Sequence, residues 1–137
     1  MEGHYKKKIY SLLLALILLD VTIAVVAFIF PELWFKIFHG VPYLDPQGFL
    51  RRCGANWAAF ALIQIIAFMK WEKKPYWLAI VAGVRFSDMF TDWTYLWFCS
   101  DITIFGRISL FAISPLNVVF GLYFLNAYKR ISKKKEN

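Results

Sequence analysis

Four ionisable residues lie inside long apolar stretches of the sequence: Asp20, Arg85, Asp88 and Asp92. Ionisable side chains are costly inside a membrane, and there they mark ligand sites, proton relays or fixed contacts between helices. Three carboxyl groups beside one guanidinium leave two carboxylates without a cationic partner. Burial and like charge both disfavour an ionised carboxylate, so we expect one or two of these acids to bind a proton unless another arginine reaches them.

Three arginines stand at the edges of the apolar stretches, at Arg51, Arg52 and Arg107. They are candidates to reach inward toward Asp92, the acid nearest to that edge. They are also candidates to bind lipid headgroups or other anions at an outer rim.

The spacing of the charged residues predicts which of them meet. Arg85, Asp88 and Asp92 are spaced i, i+3, i+7, which places them on one face of a helix. At about 1.5 Å per residue, Asp20 lies about 16 Å and Arg85 about 14 Å from the predicted cytoplasmic ends of their helices. We therefore predict that Asp20 and Arg85 form an ion pair between the first and third long helices.

Two amides complete the predicted intramembrane polar cluster. Asn56 lies about 21 Å and Asn117 about 16 Å from the same side, so both fall in the layer of the charged residues. Two interpretations of this cluster are open. It fixes which helices pack together, or it serves a transport, proton or ligand role.

The elements that carry these residues are four apolar segments. The chain has 137 residues, of which 60% are hydrophobic and 20% aromatic, and its mean hydropathy is +0.52. Soluble domains are about 45–50% apolar, so this composition excludes a soluble globular or a disordered protein. A helix needs about 20 residues to cross a bilayer core. We predict one domain over residues 1–137, with transmembrane helices over about 9–30, 52–70, 75–98 and 107–128.

The first apolar segment follows a basic stretch, as in a secretory signal peptide. Signal h-regions are only about 7–15 residues long, and the segment 9–30 is longer and lacks a small-residue cleavage site. We therefore expect a retained membrane helix.

The distribution of Lys and Arg predicts the orientation. Four basic residues fall on one side, at Lys36, Arg51, Arg52 and Arg107. The other side holds eleven, namely Lys6, Lys7, Lys8, Lys70, Lys73, Lys74, Lys129, Arg130, Lys133, Lys134 and Lys135. The positive-inside rule places both termini in the cytoplasm. This bias accounts for most of the net charge of +7, so we expect a lipid bilayer and no nucleic acid as a partner.

The loop over residues 31–50 lies outside in this topology. Its stretch 32–38 is mostly aromatic and aliphatic, which is typical of a short interfacial helix. Chain breakers follow it, at Gly40, Pro42, Pro46 and Gly48. The predicted fold is thus an all-α membrane protein, a four-helix transmembrane bundle with cytoplasmic termini and a short interfacial helix in the first outer loop.

The sequence lacks the residues that common cofactors need. Its two histidines, His4 and His39, lie outside the predicted membrane helices, so a bundle haem or a carboxylate–histidine di-iron site has no ligands there. Phosphate loops and hydrolase signatures are absent as well. We predict no catalytic residues, no cofactor and no metal. His39 and Asp45 in the outer loop are a weak candidate for a metal or acid–base site. Cys53 and Cys99 are expected to be free thiols.

The chain resembles small DoxX-like bacterial membrane proteins. The resemblance lies in the four helices, the long outer first loop, Arg51-Arg52-Cys53-Gly54 opening the second long helix, and Gly106-Arg107 opening the fourth. It implies a location in the bacterial cytoplasmic (inner) membrane.

These features favour a small accessory or assembly subunit of a larger membrane complex, with other membrane subunits or a second copy as partner. Small residues such as Gly54, Ala58, Ala79 and Gly83 would form its packing faces. The alternative is a proton-coupled carrier, or a binder of a small lipophilic molecule such as a quinone or lipid, that uses the Asp/Arg cluster. A membrane enzyme with Asp88 and Asp92 as acid and base is the weakest reading.

Overall fold

A computed structural model describes residues 2–136 of the chain and the side chains of residues 3–134. Every regular element in this range is an α-helix: α1 (Glu2–Ile29), α2 (Pro31–Phe38), α3 (Phe49–Lys70), α4 (Tyr76–Phe98) and α5 (Ile104–Glu136). The predicted all-α class is confirmed. Lys135, one of the basic residues counted above, lies outside the described side chains.

The outermost helix ends differ from the predicted ones. α1 begins at Glu2 and α5 continues to Glu136, each beyond the apolar segment that predicted it. Hydropathy marks where apolar residues stop, whereas Lys, Glu and Arg are good helix formers that continue the backbone hydrogen bonding. The predicted bounds therefore described the apolar part of each helix.

Three helices are long and apolar enough to cross a membrane. They lie over Gly3–Ile29, Phe49–Lys70 and Ile104–Lys134, and they indicate an integral membrane protein. Helix α4 is of comparable length, with 23 residues against 22 in α3, but it carries Arg85, Asp88 and Asp92 in its middle. These three ionisable residues distinguish α4 from the apolar helices, and they are also the residues that could take part in chemistry.

The four long helices form two closely packed pairs, α1 with α3 and α4 with α5. Small residues permit the close approach in each pair. A side-chain carbon at Gly54 would lie 3.1 Å from the Cβ of Ala27, and one at Gly121 would lie 2.6 Å from the Phe86 ring. A short turn joins α3 to α4, and these two helices do touch, but the main partner of α3 is α1.

An apolar core fills one end of the structure. We call this end the turn end because residues 71–75 join α3 to α4 there. All four long helices contribute to the core through Ile9, Leu13, Leu16, Ala67, Trp71, Leu78, Val81, Ala82, Phe124 and Ala127. Close van der Waals packing of these side chains stabilises the turn end, because lipid tails are as apolar as the side chains that they would contact.

Helix α2 lies at the opposite end, which we call the loop end. Pro31 is the first residue of α2 and separates it from α1, as a proline at the first helical position does. The ring of Trp34 contacts Phe38 and Trp57, and the carbonyl oxygen of Phe38 accepts a hydrogen bond from Thr103 N at 2.8 Å. The short helix predicted in this loop is therefore present.

The loop that follows α2 reverses direction at glycines. Gly40 and Gly48 have φ values of +67° and +69°, a region in which a side chain is strained. Asp45 then accepts hydrogen bonds from Phe49 N at 2.8 Å and from Leu50 N at 2.9 Å. Its carboxylate satisfies two backbone donors at the start of α3, the usual task of a capping residue.

The two cysteines are free thiols, as expected. Cys53 is exposed near the start of α3, and Cys99 is half-buried just after α4.

The α4–α5 contact gives a matched test with two glycine substitutions. Gly121→Ala should destabilise the protein by about 1–3 kcal/mol, because overpacking against Phe86 forces a shift. Gly83→Ala meets nothing within 4 Å and should stabilise the helix by up to about 1 kcal/mol. Unfolding in one detergent measures both. Equal effects of the two substitutions would refute the close packing, and Phe86→Leu should restore part of the loss in Gly121→Ala.

A small cluster of polar side chains lies at the turn end. The Glu72 carboxylate accepts hydrogen bonds from Lys6 Nζ at 2.6 Å and from the Tyr10 hydroxyl at 2.9 Å. These hydrogen bonds, with the positive charge of Lys6, hold the pKa of Glu72 below its usual value. The interaction ties the start of α1 to the turn between α3 and α4.

This lowered pKa predicts a pH-dependent contribution to stability. A carboxyl whose pKa is lower in the folded state stabilises above its unfolded pKa and loses that contribution as the pH falls. Glu72→Gln should therefore cost at most about 1 kcal/mol at neutral pH, the range of exposed ion pairs, and nothing in acid. Thermal unfolding of both forms at neutral and acidic pH measures it. If the stability difference between Glu72→Gln and wild type persists in acid, it does not come from the charge of the carboxylate. Tyr10→Phe removes one of the two hydrogen bonds and should lose only part of the stability that Glu72→Gln loses at neutral pH.

Candidate functional site

The centre of the site is an ion pair between α1 and α4. Arg85 Nη2 lies 2.6 Å from Asp20 Oδ2 and 3.0 Å from Asp88 Oδ2, and the Arg85 and Asp20 side chains are 1% and 2% exposed. The predicted Asp20–Arg85 pair is confirmed. Arg85 also binds the acid one turn along its own helix, so one guanidinium serves two carboxylates.

Gln64 on α3 belongs to the same site, although the charge pattern of the sequence did not predict it. Its Nε2 donates to Asp20 Oδ2 at 2.6 Å, and its side chain is 0% exposed. Gln64 shares the buried face of α3 with Ala61 and Ala67. That i, i+3 spacing with small residues was the available signal.

Asn56 does not lie in the cluster. It is exposed on α3, whereas the buried face of this helix carries Gln64. The prediction placed Asn56 by its depth alone, and depth does not determine which face of a helix turns inward. The assignment of Asn56 to the cluster was therefore wrong.

Asp92 and Asn117 extend the site along α4 toward the loop end. Asn117 on α5 is buried, and its Nδ2 lies 3.5 Å from Asp92 Oδ2, at the limit of a hydrogen bond. Asp92 itself is half-buried. The predicted residues Asp20, Arg85, Asp88, Asp92 and Asn117 thus lie together, with contacts from all four long helices once Gln64 is included.

The rim arginines do not neutralise the excess of acid. Arg51, Arg52 and Arg107 are exposed, and Arg51 donates to the Tyr43 hydroxyl at 3.3 Å with its guanidinium 5.9 Å from that ring. Among the described side chains, Arg85 is the only arginine paired with the cluster carboxyls. With every carboxyl ionised, the cluster would carry a net charge of −2.

Several buried polar atoms of the site have no hydrogen-bond partner within the described part of the chain. They are Gln64 Oε1 and Arg85 Nε. Ser114 Oγ, three residues before Asn117 on α5, is buried without a partner as well. Buried polar groups are nearly always paired. The cluster therefore has unused donors and acceptors in addition to its excess of carboxyls.

A second polar group lies at the loop end of α4. His39 Nδ1 is 2.6 Å from the Asp101 carbonyl oxygen, and His39 Nε2 contacts the Tyr95 hydroxyl. A carbonyl oxygen only accepts, so Nδ1 carries the proton and Nε2 accepts from Tyr95. His39 and Asp45 do not form the candidate site, because the Asp45 carboxylate instead caps α3.

The small-residue faces divide into buried and open parts. Gly54 is buried against α1, whereas Ala55, Ala58 and Ala59 on the same helix are exposed. Gly83 on α4 is exposed too, with Ala79 half-buried before it. These open faces are directed away from the other helices of this chain.

Comparisons with protein-family models, curated proteins and solved structures found no match to this chain. The resemblance to DoxX-like membrane proteins therefore remains a prediction.

The ion pair predicts unequal effects for two arginine substitutions. Arg85→Gln leaves buried carboxylates without their cation and should destabilise the protein by about 3–5 kcal/mol. Arg107→Gln changes an exposed arginine and should alter stability by no more than about 0.5 kcal/mol. Unfolding in detergent measures both. The double variant Asp20→Asn/Arg85→Gln should lose less than the sum of the single losses, and equal stability of the two arginine variants would show that the pair contributes nothing to folding.

Proposed function

We propose that α4 is a fourth transmembrane helix, which makes the chain a four-helix transmembrane bundle. Its 23 residues extend about 34 Å at 1.5 Å per residue, enough for a bilayer core of about 30 Å. Its charged face is turned toward the other helices, whereas Phe90, Trp93 and Trp97 are exposed. This division suits a helix with one face to the protein and one to lipid.

The proposed orientation places the turn end in the cytoplasm. Ring contacts of Tyr5 with Tyr123 and with the Arg130 guanidinium hold the first turns of α1 and the last part of α5 at this end. Lys70, Lys73 and Lys74 are at the same end, so the positive-inside rule supports it. Together with the DoxX-like resemblance, this supports a location in the bacterial cytoplasmic membrane, with α2 at the outer surface.

We infer that the protein is an accessory or assembly subunit of a larger membrane complex. The observation that carries this proposal is the exposed amide of Asn56 beside the open alanines Ala55, Ala58 and Ala59 on α3. Small residues let another helix approach closely, and an amide in an apolar layer is stabilised by a hydrogen bond across such a contact. The occupant of this face is therefore a transmembrane helix of a partner subunit.

A second observation supports a non-transporting role. The apolar core occupies the turn end across all four long helices, and the polar cluster does not continue through it. A carrier needs its site to reach both sides in turn. The packing of this chain favours the accessory role over the carrier.

The proposed contact is tested with two equivalent substitutions. Ala59→Trp should block a helix on the open face of α3 and release the partner, while Ala112→Trp, on an exposed position of α5, should leave the complex intact. Native mass spectrometry of each form, extracted gently from its own membrane, measures the fraction bound to larger subunits. A wild-type protein found only as a lone monomer would overturn the accessory role. A homodimer lost in Ala59→Trp would identify a second copy as the occupant.

The ligand-binding alternative rests on a different observation, the excess of carboxyls with unpartnered Gln64 Oε1 and Arg85 Nε. A small lipophilic molecule with polar groups, such as a quinone or lipid, could satisfy these atoms. The same mass spectra discriminate the two functions, because a small molecule retained by wild type and lost in Asp88→Asn supports this alternative.

A further inference from the structure

The face of α4 that carries the charged cluster continues to the loop end. Asp92 follows Asp88 by four residues, and Tyr95 follows Asp92 by three, so the three side chains lie on one face in successive turns. The Tyr95 hydroxyl then reaches His39 Nε2. Ionisable side chains thus form a line from the centre of the protein to its loop end.

We propose that Asp88 and Asp92 form a proton-binding site that exchanges protons with the loop end through Tyr95 and His39. This proposal goes beyond the accessory role and does not depend on a partner. A proton fits the line of groups better than a metal ion, because a hydroxyl and an imidazole pass protons along hydrogen bonds.

The positive charge near Asp88 and Asp92 is too small to neutralise both acids, which favours a bound proton. Arg85 on α4 is 3.0 Å from Asp88, but it is also bonded to Asp20 on α1 at 2.6 Å. Asp92 faces Asn117 of α5, an amide that does not titrate. The positive charge nearest to these acids is therefore shared, and two negative charges would remain uncompensated if all three acids were ionised.

Gln64 gives an independent indication from α3. Its side chain is fully buried, its Nε2 is directed at Asp20, and its Oε1 has no donor among the described groups. A buried acceptor without a donor is unfavourable. The cluster therefore keeps an unused acceptor beside Asp20, which is consistent with a further proton among its carboxyls.

The route to the loop end follows from the hydrogen bonds of His39. In the neutral ring Nδ1 donates to the Asp101 carbonyl oxygen and Nε2 accepts from Tyr95. For release, the Asp92 proton passes through a bridging water to the Tyr95 oxygen, one turn along the same helix, while the proton of Tyr95 moves to His39 Nε2. The imidazolium then releases its Nδ1 proton to water, and the remaining Nε2 proton returns to Nδ1 by exchange with water before the next transfer; loading is the reverse. The Cys99 thiol also lies near His39, with its Sγ 3.9 Å from Nδ1, but it is not needed as a carrier.

Access from the turn end is closed by packing. The fully buried residues of the core there, from Ile9 to Ala127, include no acid or base, while Tyr5, Tyr10, Tyr123 and Tyr128 are partly buried against them. A proton would have to cross this layer without a carboxyl or an imidazole to hold it. The exchange is therefore one-sided.

The test uses the full chain in proteoliposomes, with its orientation determined by protease access to the Lys-rich C-terminal end. Infrared difference spectroscopy follows the carbonyl stretch of a protonated carboxyl, and isotope-labelled aspartate assigns the band without any substitution. We expect the band at neutral pH, its loss when the pH is raised at the loop end, and no change when the pH is raised at the turn end. Its absence at neutral pH, or a response to the turn end, would overturn the proposal.

Variants test the route separately from folding. Asp92→Asn should remove the band or reduce its intensity, whereas Tyr95→Phe and His39→Gln should keep it and slow its response to pH about 100-fold, the lower range for a positioned proton carrier. Thr94→Val is the matched control, because the Thr94 hydroxyl donates only to the carbonyl of Phe90 on its own helix. Equal rates in Tyr95→Phe, Thr94→Val and wild type would exclude this route.

Discussion

The ion pair of Asp20 with Arg85 is the contact on which the architecture depends. The long helices pack as two pairs, α1 with α3 and α4 with α5, and this pair of charges joins one helix pair to the other at 2.6 Å. Gln64 of α3 donates a hydrogen bond to Asp20, and Asp88 of α4 forms a second ion pair with Arg85. Breaking a buried ion pair from one side leaves an unpaired charge at a cost of several kcal/mol, so the pair disfavours any arrangement of the two halves that separates Asp20 from Arg85.

The rest of the structure is divided along the helix axes. Toward the turn end, apolar residues of all four long helices pack together. Toward the loop end, the interior becomes polar from Arg85 through Asp92 to Tyr95, where α2 and its loop cover it through His39. The same helices therefore provide a half whose buried core is apolar and a half whose interior carries ionisable side chains.

Depth and spacing in the sequence were enough to predict the central contact. Arg85 and Asp20 have similar depths, and a charged stripe at i, i+3, i+7 has to face inward, so their pairing followed. Depth failed for Asn56, because two residues at one level can lie on opposite faces of a helix. Gln64 was missed since its long side chain reaches Asp20 from another level, and the partners of His39 were missed since they come from the distant residues Tyr95 and Asp101. Long-range contacts of loops depend on how the helices are placed, which local patterns do not encode.

The imbalance of charge bears on whether the cluster is only structural. A contact that merely fixed helix pairing would need one acid for one arginine, as Asp20 with Arg85 provides. Apolar residues of similar volume often stabilise a protein as well as a buried ion pair does, so stability alone does not require the further acids Asp88 and Asp92. Their presence on the side of α4 that continues to Tyr95 and His39 is explained if the cluster binds and releases protons. The ion pair then has two effects, since it joins the helix pairs and its shared guanidinium leaves the neighbouring carboxyls free to take up a proton.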